Sequence, residues 1–207
     1  MKKMEENIKK MTTLTAENIN YKEELKKKTS KPLIWIGIVS IIMFFGGLTS
    51  AVIVSQGGGG FLAIEMPFAF TISTFIIVLS SVAFQFGLIS VKKGNYSAAK
   101  VSIVLTLILG LLFIVTQYMG WTVLHDNGYY AAGKDSTQES SFLYLLTGLH
   151  VVHLIGGLFS LLFVLVKTMK NKYSLENITG MQVSITYWHF LGALWVYLFL
   201  FLRFIIA

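Results

Sequence analysis

Five apolar segments, each long enough to cross a lipid bilayer, constrain the fold of this 207-residue chain more than any other feature. A membrane-spanning helix needs about 20 mostly apolar residues. The segments are Pro32–Ser55, Pro67–Val91, Ala98–Trp121, Ser141–Lys167 and Val183–Ile206. Only helices and closed barrels satisfy the backbone in lipid, and these segments are too long and continuous for barrel strands. The sequence therefore predicts an all-α integral membrane domain, a bundle of five transmembrane helices over residues 32–207.

The composition agrees with a membrane protein and excludes several kinds of chemical site. Hydrophobic residues make up 55% of the chain and charged residues 13%, proportions typical of a membrane protein and not of a soluble domain. The sequence has no cysteine, which excludes disulfides, thiolate metal sites and iron–sulfur clusters. Pro32 and Pro67 begin two of the segments, and we expect each to occupy the first turn of its helix, where the missing N–H is harmless.

Residues 1–31 form a basic, polar tail before the first apolar segment. The tail has no early apolar core of the kind that a secretory signal requires. We interpret it as a frayed, solvated tail; a short helix lying at the membrane surface is the alternative. Its apolar residues recur loosely at helical spacing: Met4, Ile8, Met11, Leu14, Ile19 and Leu25.

The distribution of Lys and Arg predicts the orientation. Fifteen of the 17 lie in the tail and in the loops after the second and fourth segments, which share one side of the membrane. By the positive-inside rule that side is cytoplasmic, so we expect a cytoplasmic N-terminus and an external C-terminus. The net charge of +7 then reflects topology and contact with anionic lipid headgroups, not nucleic-acid binding.

The polar residues inside the segments include Gln117, His150, His153 and His189, but no Asp or Glu lies in the middle of any segment. Proton relays and ion-coupled transport usually depend on such charged groups. His150 and His153 lie three positions apart, about 60° around a helix and about 4.5 Å along it, so they cannot take opposite axial positions on one haem. His189 lies at a different predicted depth, about 8 Å against about 20 Å for His153. We therefore expect neutral imidazoles that hydrogen-bond to facing helices and specify packing, not a metal or haem site.

Two stretches, FLYLLTGLHVVHLIGGLFSLLFVLVK and YWHFLGALWVYLFLFLRF, resemble the last two helices of subunit III of haem–copper terminal oxidases in its short, five-helix bacterial form. The segment GLLFIVTQYMGW is similar to the family's preceding helix. The residues that carry the resemblance, interpreted as packing positions, are Gln117, His150, His153, Gly156, Gly157, Tyr187, Trp188, His189 and Trp195.

The resemblance implies a membrane subunit without catalytic, cofactor-binding or metal-binding residues of its own. Such a subunit packs directly against catalytic subunit I, belongs to a complex with subunits II and IV, and holds phospholipid in a cleft between helices. Haem and copper are then expected in the partner chains, and the location is the bacterial plasma membrane, where a larger respiratory supercomplex could include the oxidase.

Three positions depart from the pattern of that family. Ile41, Gly120 and Gly192 stand where the resemblance leads us to expect carboxylates. All three departures remove an acid, so an influence on proton uptake through these groups is not expected, whereas a scaffold and lipid-packing role is unaffected.

Several alternatives stay open at the level of sequence. Subunit III of a quinol oxidase and the accessory membrane protein of nitric oxide reductase share the expected fold. A small channel or transporter, and a b-type haem protein, belong to other classes, and the absent charges and absent ligand cage count against them.

Overall fold

The computed structural model describes residues 2–57, 64–170 and 178–205. Within these ranges it contains five helices: α1 (Lys2–Gln56), α2 (Phe68–Lys92), α3 (Tyr96–Asp126), α4 (Gln138–Met169) and α5 (Thr179–Ile205). Each helix contains a stretch long and apolar enough to cross a membrane, as the sequence predicts. The last residue of the fifth predicted segment, Ile206, lies outside the described residues, as do residues 58–63 after α1 and residues 171–177 after α4.

Helix α1 differs from the prediction because it begins at Lys2 and not at Pro32. Pro32 lies inside the helix, so the expectation that it occupies the first turn is wrong. A proline within a helix removes one backbone hydrogen bond and crowds the carbonyl four positions earlier, yet the Lys- and Glu-rich residues before it favour helix. The described tail is therefore helical and continuous with α1, and not frayed as we expected. The membrane-competent part of α1 starts at Lys28.

The polar ends of the other helices also extend beyond the apolar segments. Asn95 precedes α3, and its side chain accepts a hydrogen bond from the Ala98 backbone N–H. Thr137 and Ser140 form a reciprocal capping box at the start of α4. These caps satisfy backbone groups that the end of a helix leaves unpaired. The helices therefore start among polar residues, which a search for apolar segments does not detect. Pro67 is the residue just before α2, one position earlier than expected.

The helices pack as a ring of four with the fifth outside it. Helix α2 contacts α3, α3 contacts α4, α4 contacts α5, and α5 contacts α2. Within the described residues, α1 contacts only α4 and α5. The core of the ring therefore lies between α2, α3, α4 and α5, and α1 covers the α4–α5 side.

Two glycines allow the helices of the ring to approach closely. A Cβ atom placed at Gly157 of α4 would lie 2.9 Å from Leu191, and one at Gly110 of α3 would lie 2.8 Å from the Trp188 ring. Real Cβ contacts are almost never this short. The side chains of Leu191 and Trp188 therefore occupy the space that a residue larger than glycine would need at these two positions. Small residues at these crossings are typical of packed membrane helices.

Candidate functional site: a polar and aromatic core between the helices

Three tryptophans connect neighbouring helices by the same kind of contact. Each indole N–H donates a hydrogen bond to a hydroxyl on a facing helix, over 3.0 Å in every case. The pairs are Trp121 with Thr147, Trp188 with Ser80, and Trp195 with Thr74. We call these three contacts the indole–hydroxyl links. They join α3 to α4 once and α5 to α2 twice.

The hydroxyl of each link is itself held in position by its own helix. Thr147, Ser80 and Thr74 each donate to a backbone carbonyl three or four residues earlier, over 2.7–2.8 Å. A hydroxyl has one donor and two acceptor sites, so this arrangement leaves its acceptor side free for the indole N–H. The links therefore satisfy buried polar groups that lipid cannot satisfy.

Other polar contacts connect the remaining pairs of helices. Gln117 of α3 donates to Ser73 of α2 over 2.8 Å. Tyr187 of α5 donates to the backbone carbonyl of His153 in α4, over 3.2 Å. The outer helix is attached by Tyr197 of α5, whose hydroxyl donates to Thr49 of α1 over 3.2 Å.

His150 lies at the centre of the ring and is fully buried. Its imidazole packs against the Trp195 ring, with centroids 5.1 Å apart, and edge-on against Phe113 at 5.9 Å. Among the residues that the structure describes, neither ring nitrogen has a hydrogen-bond partner. The expectation that this imidazole hydrogen-bonds to a facing helix is therefore wrong. Its neighbours on the facing helices are the aromatic rings of Phe113 and Trp195.

His153 points to a different part of the molecule. Its Nδ1 lies 2.7 Å from the carbonyl of Leu149 in the same helix, and its ring packs edge-on against Phe45 of α1, 5.6 Å away. The expected interhelical hydrogen bond is absent from this ring too, because its described bond is to α4 itself. The two histidines thus serve different interfaces, and among the described residues no group of three or more His, Cys, Asp or Glu side chains could hold a metal ion.

His189 is the one of these three histidines whose ring bonds across an interface as expected. Its Nε2 lies 3.3 Å from Oε1 of Gln85 in α2. The pair lines a groove of about 560 Å³ between α2 and α5, which we call the α2–α5 groove. Its other lining residues are Val78, Ser81, Val82, Phe86, Ile89, Gly192, Ala193 and Val196.

At two of the three positions where an acid was expected, a neighbouring side chain lies close to the glycine that stands there. A Cβ at Gly120 would lie 2.8 Å from the ring of Phe70, so Phe70 fills the space that a longer side chain would need. A Cβ at Gly192 would lie 3.0 Å from the Ser81 hydroxyl at the α2–α5 groove. Ile41 is partly buried and packs against the apolar core.

The remaining signature residues lie on the faces that these contacts use. Gly157 is buried against Leu191 and Trp188, whereas Gly156 is exposed with the Tyr187 hydroxyl 3.8 Å from the position of its Cβ. The sequence did not predict which hydroxyls accept these bonds; they belong to Ser73, Thr74, Ser80 and Thr147. Their only sequence signal is a hydroxyl residue within an apolar helix, which many lipid-facing positions share.

Comparison with known proteins places the chain in a family. Residues 33–206 match the family model for cytochrome c oxidase subunit III. The chain is 31% identical over 172 residues to cytochrome c oxidase subunit 3 of Corynebacterium diphtheriae, which covers 79% of this chain and 82% of that one. It is 30% identical over 178 residues to the probable cytochrome c oxidase subunit 3 of Mycobacterium leprae, covering 84% and 85%. Cytochrome c oxidase subunit 3 of Alkalihalophilus pseudofirmus is 28% identical over 162 residues, covering 75% of each chain.

Proposed function

Because the chain belongs to the cytochrome c oxidase subunit III family, and so is a multi-pass membrane subunit of a haem–copper oxidase, we propose that it acts as a non-redox scaffold beside the catalytic subunit. The observation that carries this proposal is that polar signature residues form hydrogen bonds between the helices of this chain. The described signature side chains Gln117, Tyr187, Trp188, His189 and Trp195 bond to neighbouring helices of this chain. They maintain the shape of the bundle, and haem and copper belong to the partner subunits.

The proposed partners are subunit I by direct contact, and subunits II and IV in the same complex, in the plasma membrane of a bacterium. Affinity purification through a tag on this chain from native membranes, followed by mass spectrometry, tests this assignment. We expect the three other subunits together with the haem absorbance of the oxidase. Recovery of a stable free chain, or of haem bound to the isolated chain, would contradict it.

The proposed orientation has a cytoplasmic N-terminus. The natural absence of cysteine permits a clean test, since a single introduced thiol is the sole site of labelling in this chain. Lys134 and Lys93 are exposed in two loops that lie on opposite sides of the membrane in this arrangement. A membrane-impermeant maleimide should label Lys134→Cys in intact cells, and Lys93→Cys only after the membrane is opened. The reverse pattern would overturn the orientation.

We further propose that the α2–α5 groove holds the acyl chain of a phospholipid. Along α2 the groove follows Val78, Val82, Gln85 and Ile89, at intervals of four, three and four residues, and Lys92 comes three residues later. Residues at this spacing share one face of a helix, so Lys92 lies beyond the end of the groove on the same face. An apolar channel that ends beside a lysine suits a lipid with an anionic headgroup.

Lipid analysis of the purified complex tests this site. Val82→Trp fills the groove, and we expect it to reduce the amount of tightly bound phospholipid. Lys92→Gln should mainly reduce the anionic fraction. Val101→Trp, on the exposed face of α3, is the matched control for added bulk. Unchanged lipid content in both groove variants would refute the site and leave the subunit assignment intact.

A further inference from the structure

The buried core contains polar atoms that no side chain or backbone group of the described part of the chain satisfies. They are Oε1 of Gln117 and both ring nitrogens of His150, and both residues have no exposed surface. Buried polar groups in folded proteins are nearly always paired with protein or ordered water. In the hydrocarbon region, bulk water cannot reach them. Each unpaired atom therefore needs a physical explanation.

The register of α3 against α4 places these two residues at adjacent levels of the bundle. The two helices are antiparallel neighbours, and Trp121 of α3 bonds to Thr147 of α4. Eleven residues earlier in α3, Gly110 lies against Leu158, eleven residues later in α4. This constant register places Gln117 opposite Val151, which is the residue next to His150.

The surrounding contacts agree with this placement. Phe113, one turn before Gln117, packs edge-on against the His150 ring at 5.9 Å. Trp195 contacts both rings, with centroid distances of 5.0 Å to Phe113 and 5.1 Å to His150. The imidazole is therefore held between two aromatic side chains, and the Gln117 amide is held by its bond to Ser73.

We propose that a water molecule occupies the space between Gln117 and His150 and bridges α3 to α4. It donates one hydrogen to Oε1 of Gln117 and forms its second bond to a ring nitrogen of His150, as donor or acceptor according to the tautomer. A neutral imidazole has one donor and one acceptor nitrogen, so either tautomer permits this bond. Two polar partners meet the minimum that a buried water requires. The site is a structural hydration site inside the membrane, and it depends on this chain alone.

The decisive experiment is a structure of the intact oxidase complex at a resolution that shows ordered water. We expect one solvent peak within hydrogen-bond distance, about 2.7–3.2 Å, of both Gln117 Oε1 and a His150 ring nitrogen. A direct hydrogen bond between the two side chains, or empty space between them, would overturn the proposal.

Variants provide a second measurement on the same complex. Gln117→Leu and His150→Phe should each eliminate the peak, and the loss of melting temperature in the double variant should be smaller than the sum of the two single losses. His153→Phe is the control, because its ring bonds to Leu149 and faces Phe45. It should leave the peak in place. Strictly additive losses for Gln117 and His150 would show that no shared water couples them.

Discussion

At the scale of single residues, hydroxyls that are fixed by their own helix act as acceptors for large aromatic donors. Trp195 illustrates the point, since it combines the bond to Thr74 with ring contacts to Phe70, Phe113 and His150. In a membrane, the energy of an interhelical hydrogen bond is modest, about 0.6 kcal/mol on average and up to about 1.7 kcal/mol. The links therefore specify which helices pair, and apolar packing contributes most of the stability.

The first prediction concerns the link at Trp195. Thr74→Val removes the acceptor while keeping a similar shape, so the buried indole N–H loses its partner. We expect a loss of about 1 kcal/mol, measured as a lower melting temperature of the purified complex. Thr122→Val is a suitable control, because Thr122 is exposed on α3 and its described hydrogen bond is to the Met119 carbonyl of its own helix. Equal effects of the two substitutions would show that the link contributes nothing specific.

The second prediction concerns Gly120. Phe70 lies 2.8 Å from the position of a Cβ there, so Gly120→Ala should overpack the α2–α3 contact and cost about 1–3 kcal/mol. Gly120→Glu should be worse, since it also buries a carboxylate. Gly46→Ala is the matched control, because no described atom beyond its chain neighbours and the adjacent backbone of α1 lies within 4 Å of the position of its Cβ. Normal stability of Gly120→Ala would mean that Phe70 moves aside at little cost.

At the scale of helices, the sequence predicted all five spans because the length of an apolar run directly reflects bilayer thickness. It missed the helix ends, where polar residues such as Asn95 and Thr137 cap the backbone outside the apolar window. It also failed at Pro32, because helix-forming residues on both sides outweigh one lost hydrogen bond. Partners such as Ser80 could not be predicted, since a hydroxyl becomes specific only when the facing helix is known.

The third prediction concerns the tail helix. Several apolar side chains along it are exposed, among them Met4, Met11 and Leu25. Together with the basic residues, this exposure favours contact with anionic lipid headgroups or a neighbouring subunit. Deletion of residues 1–30 should therefore lower the yield of intact complex more than it lowers turnover per complex. Replacement by a neutral Gly–Ser segment of equal length is the control for length, and a normal yield after deletion would contradict the prediction.

At the scale of the whole molecule, the four-helix ring and the outer position of α1 divide the chain into a tightly connected part and an attached helix. Helix α1 is joined through Thr49, through Ser55, which accepts from Gln138, and through Gln56, which donates to the Ile205 carbonyl. These three contacts involve α4 and α5 only. A disturbance of α1 should therefore leave the ring and its buried links largely unaffected.

The last prediction follows from the proposed scaffold role. If haem and copper are held entirely by partner subunits, an oxidase prepared without this chain should keep its haem absorbance per catalytic subunit. Its melting temperature and its bound phospholipid should both fall, because the missing bundle exposes the face of its neighbour and takes away the α2–α5 groove. Adding back the purified chain should restore both quantities, whereas a Trp188→Ala and Trp195→Ala double variant, which lacks two indole–hydroxyl links, should restore them less well. A loss of haem absorbance on removal of the chain would instead indicate that this subunit contributes to cofactor binding.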